Sequence, residues 1–534
     1  MTETKIPVLI AGGGSVGLAT ALFLAGKGVP TLVVDRQDGP SPHPRATGVG
    51  WRTVEMFRAE GLQEAVNAVS VDLAGMRAKV AATTLVETDF TKLATPEPVR
   101  VPAATQDEPV SPGILRGTCP QNYLDSVTLP AARERGAVVR YSTRLKSFTQ
   151  DESGVRAVLS GGDIVHADYL IAADGLRSDV RAALGIGVTG PGPIGKTNMS
   201  LLFRADLTPY LQGRRFVSCN IDNPAVGGLL VTVDGAKEWI LHVNGDAGID
   251  AFTEARCLEL IRAAVGDPAL EAEVVSVLPW RPQAFVADRF RDGRVFLVGD
   301  AAHAVSPLGA FGLNTGIADG HNLAWKIAAV HQGWAGAGLL DTYQVERHAV
   351  ATMTLDQAVR RWPDPRLHWE NTPEIAAARR AAGVLNAPLV HLGYRYDSAA
   401  VVDPQPELPD TEDVSLVLDG TPGSRLPHRW LEQHGKRIST LDLVSGVTLL
   451  TADETWTRTA HQVGAALSLD LTVHRIPASE TEWLRTVGID ASGAILVRPD
   501  QFIAWRTTEV PADPGAVLTE VIERILARRS PARG

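Results

Sequence analysis

The 534-residue sequence predicts an α/β protein: a parallel sheet wrapped by helices, a second lobe of mixed sheet, and a small α/β unit at the end. Three observations carry that prediction. The stretch VLIAGGGSVG at 8–17 joins an apolar strand pattern to an apolar helix pattern through glycines. A second apolar run, VPTLVVDR, ends at Asp35, and a third, RVFLVGD, ends at Asp300 far along the chain before another glycine-rich turn and helix.

The run from Ile6 to Gly26 carries no charge, which by itself would suit a spanning helix or a signal core. Gly12, Gly13 and Gly14 divide it, because each glycine costs up to about 1 kcal/mol relative to alanine inside a helix. A short strand over Ile6–Ile10 and a helix from Ser15 to near Gly28 follow. Gly12, Gly14 and Gly17 then fit G-x-G-x-x-G, whose glycines allow a tight turn, close approach of a pyrophosphate and tight helix–strand packing. Asp35 falls where an acid accepts hydrogen bonds from a ribose, about twenty residues on. The expected unit is a Rossmann-like dinucleotide site. Met1–Lys5 lacks a basic n-region and no A-x-A-like site follows, so a cytoplasmic location is expected.

With 45% hydrophobic and 21% charged residues the composition is that of a globular protein of two to four domains. A net charge of −10 argues against nucleic acid or an anionic membrane as partner, since phosphate contacts need clustered Lys and Arg. A small-molecule ligand fits better. Cys119, Cys219 and Cys257 form no C-x-x-C pair, and the histidines show no H-E-x-x-H spacing, so no disulfide framework or metal site is expected. No G-x-S-x-G elbow supports a serine hydrolase.

Alternating strand and helix patterns place a first part of the dinucleotide-binding domain at 1–185. Strand patterns such as LLVTV and WILHV place a sheet-based substrate lobe at 186–285. The second part of the first domain, with a helical segment, spans 286–402. Residues 403–425, rich in Pro, Asp and Gly, read as a linker. Residues 426–534 hold four strand patterns and a final amphipathic helix, without cysteine, and are expected to serve stability or assembly.

Two further stretches extend the site. DYLIAADGLRSDVR at 168–181 is a strand, the turn Asp174-Gly175 and a helix start near Ser178, which a plain N-capped turn would also explain. GDAAHAVSPLGAFGLNTGIADGHNLAWK, from Gly299, is more specific. With GGGSVG and DGLRSDVR it resembles the FAD-dependent aromatic hydroxylases that share the para-hydroxybenzoate hydroxylase fold, over about residues 5–360. HPRATGVGWRTVEMFR, CPQNYLD and HLGYRYDS are similar to the branch acting on aromatic polyketides, whose members end in a thioredoxin-like domain lacking redox cysteines.

The resemblance implies roles. Gly12, Gly14 and Gly17 receive the FAD diphosphate, Asp35 holds the adenosine ribose with Arg36 beside it, Asp174 orients the cofactor tail, and Asp300 binds the ribityl chain or diphosphate. Pro307 opens a turn in which Gly312, Leu313 and Asn314 place N–H groups and a helix N-terminus at the flavin edge, where negative charge accumulates on reduction. Arg45 and Gln121 match cofactor-contacting positions, and Arg45 could gate movement of the flavin. Asp35 stands where the family often has Glu. Ala310 replaces a glycine of the usual P-x-G-G-x-G turn, so φ > 0 there would be strained.

Such enzymes take hydride from NAD(P)H, NADPH being favoured here, and react reduced flavin with O2 to a C4a-hydroperoxide that donates one oxygen atom to an aromatic substrate. The protein positions the substrate and excludes water. Tyr394, Arg395 and Tyr396 form an aromatic and cationic cluster in which Arg395 could favour a phenolate, with core packing and an ion pair as the competing reading. Trp280 and Phe285 are pocket candidates with the same competitor, and His303 is expected to be structural. The expected reaction is hydroxylation of a polycyclic aromatic polyketide or related phenolic. Baeyer–Villiger oxygen insertion is the alternative, and an FAD-binding, redox-responsive interaction protein is the non-enzyme alternative. Oligomeric state stays open, a homodimer included.

Overall fold

The computed structural model describes residues 2–534 apart from 74, 75, 92–109, 114, 116, 371, 409–415, 417, 434 and 529–534. Its centre is a parallel sheet in the order Val295–Leu297, Ile164–Ala172, Glu3–Ala11, Thr31–Val34 and Val138–Arg140, edged by the antiparallel strand Arg291–Asp292. The strand Glu3–Ala11 pairs on both sides, Ile10 opposite Val33 and Ile171. Val8, Leu9 and Ile10 are therefore wholly buried, which explains the continuous apolar run. Helices Ser15–Gly26 and Phe311–His331 pack against each other and contribute Leu22 and Ile327 to the same core.

The second lobe is a six-stranded sheet in the order Glu273–Trp280, Asn198–Arg204, Glu238–Asn244, Gly227–Thr232, Phe216–Asp222 and Arg77–Ala82. Strand alternation divides its faces. Met199, Leu201, Phe203, Trp239 and Leu241 pack under the helix Glu254–Val265, whereas Ser200, Leu202, Ile240 and His242 take the other face. The strand Arg77–Ala82 belongs to this sheet although it falls within 1–185. Its pairing with Phe216–Asp222 is non-local and leaves no mark on local periodicity.

The last domain has a four-stranded sheet in the order Leu471–Arg475, Val447–Thr451, Ala494–Val497, Ile503–Thr507. The first two strands are parallel and flank the helix Glu454–Leu467; the last two form an antiparallel hairpin before the helix Pro514–Ile525. This is the thioredoxin-like βαβ plus ββα order. Leu518, Ile522 and Trp456 share one core with Trp325 and Ala329 of the helix Phe311–His331, so the domain is packed onto the first. The end of the expected linker is part of that packing: Thr421, Ser424 and Arg425 are buried, and the Gly423 N–H donates to Ile503 O at 2.8 Å. Glycine serves here for close backbone approach, since a methyl at Gly423 would lie 2.3 Å from Tyr396 O. No helix among the described residues is long and apolar enough to cross a membrane.

Candidate active site

The three motif turns meet at the carboxyl ends of the parallel strands, where open α/β sheets bind ligands. Gly12 has φ +112°, and a methyl there would lie 2.1 Å from Ala173 O; one at Gly17 would lie 1.9 Å from Gly12 O. Only hydrogen fits at either position. A methyl at Gly14, the N-cap of Ser15–Gly26, meets nothing within 4 Å, so the helix N-terminus opens on free space. Asp35 closes the first turn. Its Oδ2 accepts from Gly13 N at 2.6 Å and its Oδ1 from Gln37 N at 2.8 Å, while Arg36 is exposed beside it.

Asp174 Oδ2 accepts from Val180 N at 3.1 Å, and its Oδ1 is buried without a partner. Burial pushes its pKa up against the Ser178 hydrogen bond. Asp300 is exposed by surface area yet surrounded by protein, as on a cleft wall. That enclosure pushes its carboxyl up, with the charges of His303 and Arg45 acting the other way. Arg45 is exposed in a loop anchored on both flanks: His43 Nδ1 meets Ser276 Oγ at 2.7 Å on the six-stranded sheet, and Gln121 N donates to Ala46 O at 2.9 Å. The structure thus brings Arg45, Asp300 and the sheet together.

The turn from Pro307 leads into the helix Phe311–His331, so Gly312, Leu313 and Asn314 form its first turn. Ala310 sits at φ 53°, ψ 33°, in the left-handed region, as its glycine-like position requires. Asn314 differs from a side chain reserved for ligand. Its Oδ1 accepts from Gly50 N and Thr53 Oγ1, both at 2.7 Å, and its Nδ2 donates to Ala310 O at 2.7 Å and Gly48 O at 3.1 Å. It fastens the turn, leaving the N–H groups of the first helical turn for a ligand.

The expected substrate residues separate. Trp280 lies on the sheet face, its ring 5.7 Å from that of His242 and its Nε1 buried without a partner. His242 meets Ser200 Oγ at 2.6 Å, and burial holds both His242 and His43 near a pKa of about 4, with the Arg45 charge lowering His43 further and the nearby His43 ring disfavouring a proton on His242. Tyr394 instead lines a small cavity with Thr53, Asn314, Arg347 and His391. Tyr396 is buried, accepting a bond from Arg347 at 3.1 Å. Arg395 reaches Asp419 at 2.9 Å and Gln405 O at 3.3 Å, so the ion pair of the competing reading is present. Phe285 packs under the Arg181 guanidinium. His303 is structural, its Nε2 2.7 Å from Asp319 in full burial.

His43, His242 and Tyr141, none of them singled out by motif, also border the cleft and sheet; the Tyr141 hydroxyl donates to Gly13 O at 3.2 Å. The alternation of WILHV does place His242 opposite Trp239 and Leu241, a signal available once the lobe is known to be a half-covered sheet.

These turns and carboxylates define a protein that binds a dinucleotide cofactor beside a separate six-stranded sheet. Residues 5–358 match the FAD binding domain family, and residues 419–528 match the aromatic-ring hydroxylase C-terminal domain. The chain is 41% identical to tetracenomycin B2 monooxygenase-dioxygenase of Streptomyces olivaceus, covering 99% of this chain and 100% of that one. It superposes on aklavinone-11 hydroxylase in complex with FAD and aklavinone with a TM-score of 0.83 at 35% identity, and on the flavin-dependent monooxygenase PieE in complex with FAD and substrate with 0.84 at 32%. Each covers 99% of this chain and 100% of the other. The chain belongs to the FAD-dependent aromatic hydroxylases, in their aromatic polyketide branch, and is an FAD monooxygenase. That relationship sets aside a non-enzyme interaction protein.

The residues present fit FAD. Open space beyond Gly14, the orphaned Oδ1 of Asp174 and the cleft-wall position of Asp300 all call for a ligand with phosphates and hydroxyls.

Proposed function

We propose that the protein hydroxylates a polycyclic aromatic polyketide or related phenolic, with NADPH as reductant and O2 as oxidant. The observation that carries this reading is the sheet face bearing Ser200, His242, Ser276 and Trp280, opposed to the Arg45 loop beside Asp300. Aromatic surface with a few placed polar groups suits a flat, oxygen-bearing ring system. Relatives named for tetracenomycin B2 and aklavinone support the same substrate class.

FAD, when bound, accepts hydride and activates O2. Gly12, Gly14, Gly17 and the first turn of Ser15–Gly26 hold its diphosphate, Asp35 and Arg36 its ribose, and Asp174, Asp300, Gln121 and Arg45 its remaining length. Pro307, Gly312, Leu313 and Asn314 shape the turn at the ring end. His43 and His242 stay neutral near pH 7 and can accept from or donate to substrate oxygens without adding charge. Arg395, tied to Asp419, serves the join between domains. The test is NMR of the product formed from tetracyclic phenolic polyketides: a new phenolic carbon in an intact skeleton is expected. A lactone or ring-opened acid would establish oxygen insertion instead.

A further inference from the structure

Two chains of buried contacts run from the C-terminal domain to the turns that frame the cofactor cleft. They start at the tip of the hairpin between Ala494–Val497 and Ile503–Thr507, where Arg498, Asp500 and Gln501 are all buried. Gln501 is held at φ 66°, a left-handed conformation that a non-glycine residue keeps only where its surroundings enforce it.

In the first chain, Asp500 O and Gln501 Oε1 each accept from Arg52 at 2.6 Å. Arg52 is the second residue of the helix Trp51–Ala59, whose entry residue Gly50 and third residue Thr53 both donate to Asn314. Asn314 in turn ties back to Ala310, so the hairpin tip reaches the turn that begins the helix Phe311–His331. In the second chain, Arg498 clasps Glu346 at 2.6 and 2.9 Å on the helix Asp341–Arg361. The next residue, Arg347, donates to Asp319 at 2.7 Å, and Asp319 accepts from Gly299 N at 3.1 Å, directly before Asp300. Phe502 reinforces this route, its ring 4.2 Å from that of Tyr396, which Arg347 also holds.

Adhesion alone does not require such a tip. The domain already has an apolar seam through Leu518, Ile522 and Trp325. Buried ion pairs add little net stability over apolar packing of the same shape, but they fix direction and distance. We propose that the 498–502 tip sets the positions of the Ala310–Asn314 and Gly299–Ala301 turns, and that Arg498 and Gln501 are positioning residues for FAD. The C-terminal domain is then a working part of the cofactor site, beyond stability or assembly.

The test uses the full chain with Gln501→Leu, Arg498→Met and, as a control in the apolar seam, Leu518→Ala. FAD affinity of the apoprotein, visible circular dichroism of the bound flavin and thermal midpoint are read together. Both tip variants are expected to weaken FAD binding by about tenfold or more, equal to about 1.4 kcal/mol, and to change the flavin dichroism. Leu518→Ala is expected to lower the midpoint while affinity and dichroism stay as in the parent. Gln501→Leu keeps every charge, so it decides the matter if Arg498→Met does not fold. Unchanged affinity and dichroism in folded Gln501→Leu, or an equal loss in Leu518→Ala, would overturn the proposal.

Discussion

Asp174 and Asp300 carry the same side chain at the ends of neighbouring strands, yet their surroundings give them different work. Asp174 spends one oxygen on the Val180 N–H, whereas Asp300 faces the cleft beside Arg45. Asp300→Ala should therefore lower FAD retention more than Asp174→Ala, by the roughly 1.5 to 3 kcal/mol of a charge-assisted hydrogen bond. Flavin-to-protein ratio after dialysis reads this out, and equal retention in both variants would refute the assignment. Arg395 gives a contrasting case. Because Asp419 holds its guanidinium, Arg395→Gln should leave kcat and KM within about twofold while lowering the thermal midpoint, as loss of a half-buried ion pair does. Steady-state kinetics beside a melting curve checks both halves. The glycines and carboxylates of the cofactor turns were legible because backbone geometry and phosphate chemistry restrict those positions to few residue types. For Arg395 the sequence offered an ion pair as one reading but not its partner, because Asp419 lies in a segment that only the fold brings near.

At the scale of elements, the turn before Phe311 is where sequence and conformation conflict. Ala310 occupies a left-handed conformation that costs an alanine about 1 to 2 kcal/mol, while glycine at that point loses about 0.4 to 1 kcal/mol through a more flexible unfolded chain. Ala310→Gly should raise stability by up to about 1.5 kcal/mol, the difference between those terms, as read by denaturant unfolding of the FAD-loaded protein. A loss of stability would show that the Ala310 methyl makes a contact worth more than the strain. The departure itself was visible in the sequence, because the glycine pattern of the turn is local. Local periodicity likewise marked the strands Glu3–Ala11 and Thr31–Val34 and the helix between them. The membership of Arg77–Ala82 in the substrate sheet, and the burial of Thr421–Arg425, depend on partners more than a hundred residues away in one case and across a domain boundary in the other. No window of sequence contains both sides of such a contact.

Over the whole molecule, burial keeps a set of histidines neutral. His43, His242, His368 and His391 are each held at about 4 and His428 at about 3, in every case chiefly by desolvation. The unfolded chain takes up protons at these sites near pH 6.5 while the folded one does not, so folding stability is full above that pH and falls as pH drops toward 4. Asp125, raised to about 6 by burial, and the raised Asp174 and Asp300 act in the opposite sense but are fewer. The thermal midpoint should therefore be clearly lower at pH 5 than at pH 7.5; a flat profile would contradict this balance. The C-terminal domain, which the sequence marked as a separate unit without redox chemistry, joins the rest through both an apolar seam and the charged tip at 498–502. We propose that all these parts serve one reaction, the transfer of an oxygen atom from O2 to an aromatic ring. Turnover of tetracyclic phenolic polyketides with NADPH under 18O2 separates the outcomes: one 18O atom per product is expected, on a phenolic carbon, with NADPH consumption stimulated by the same compound. Product oxygen drawn from water, or NADPH oxidation that yields only hydrogen peroxide with every compound of the class, would contradict it.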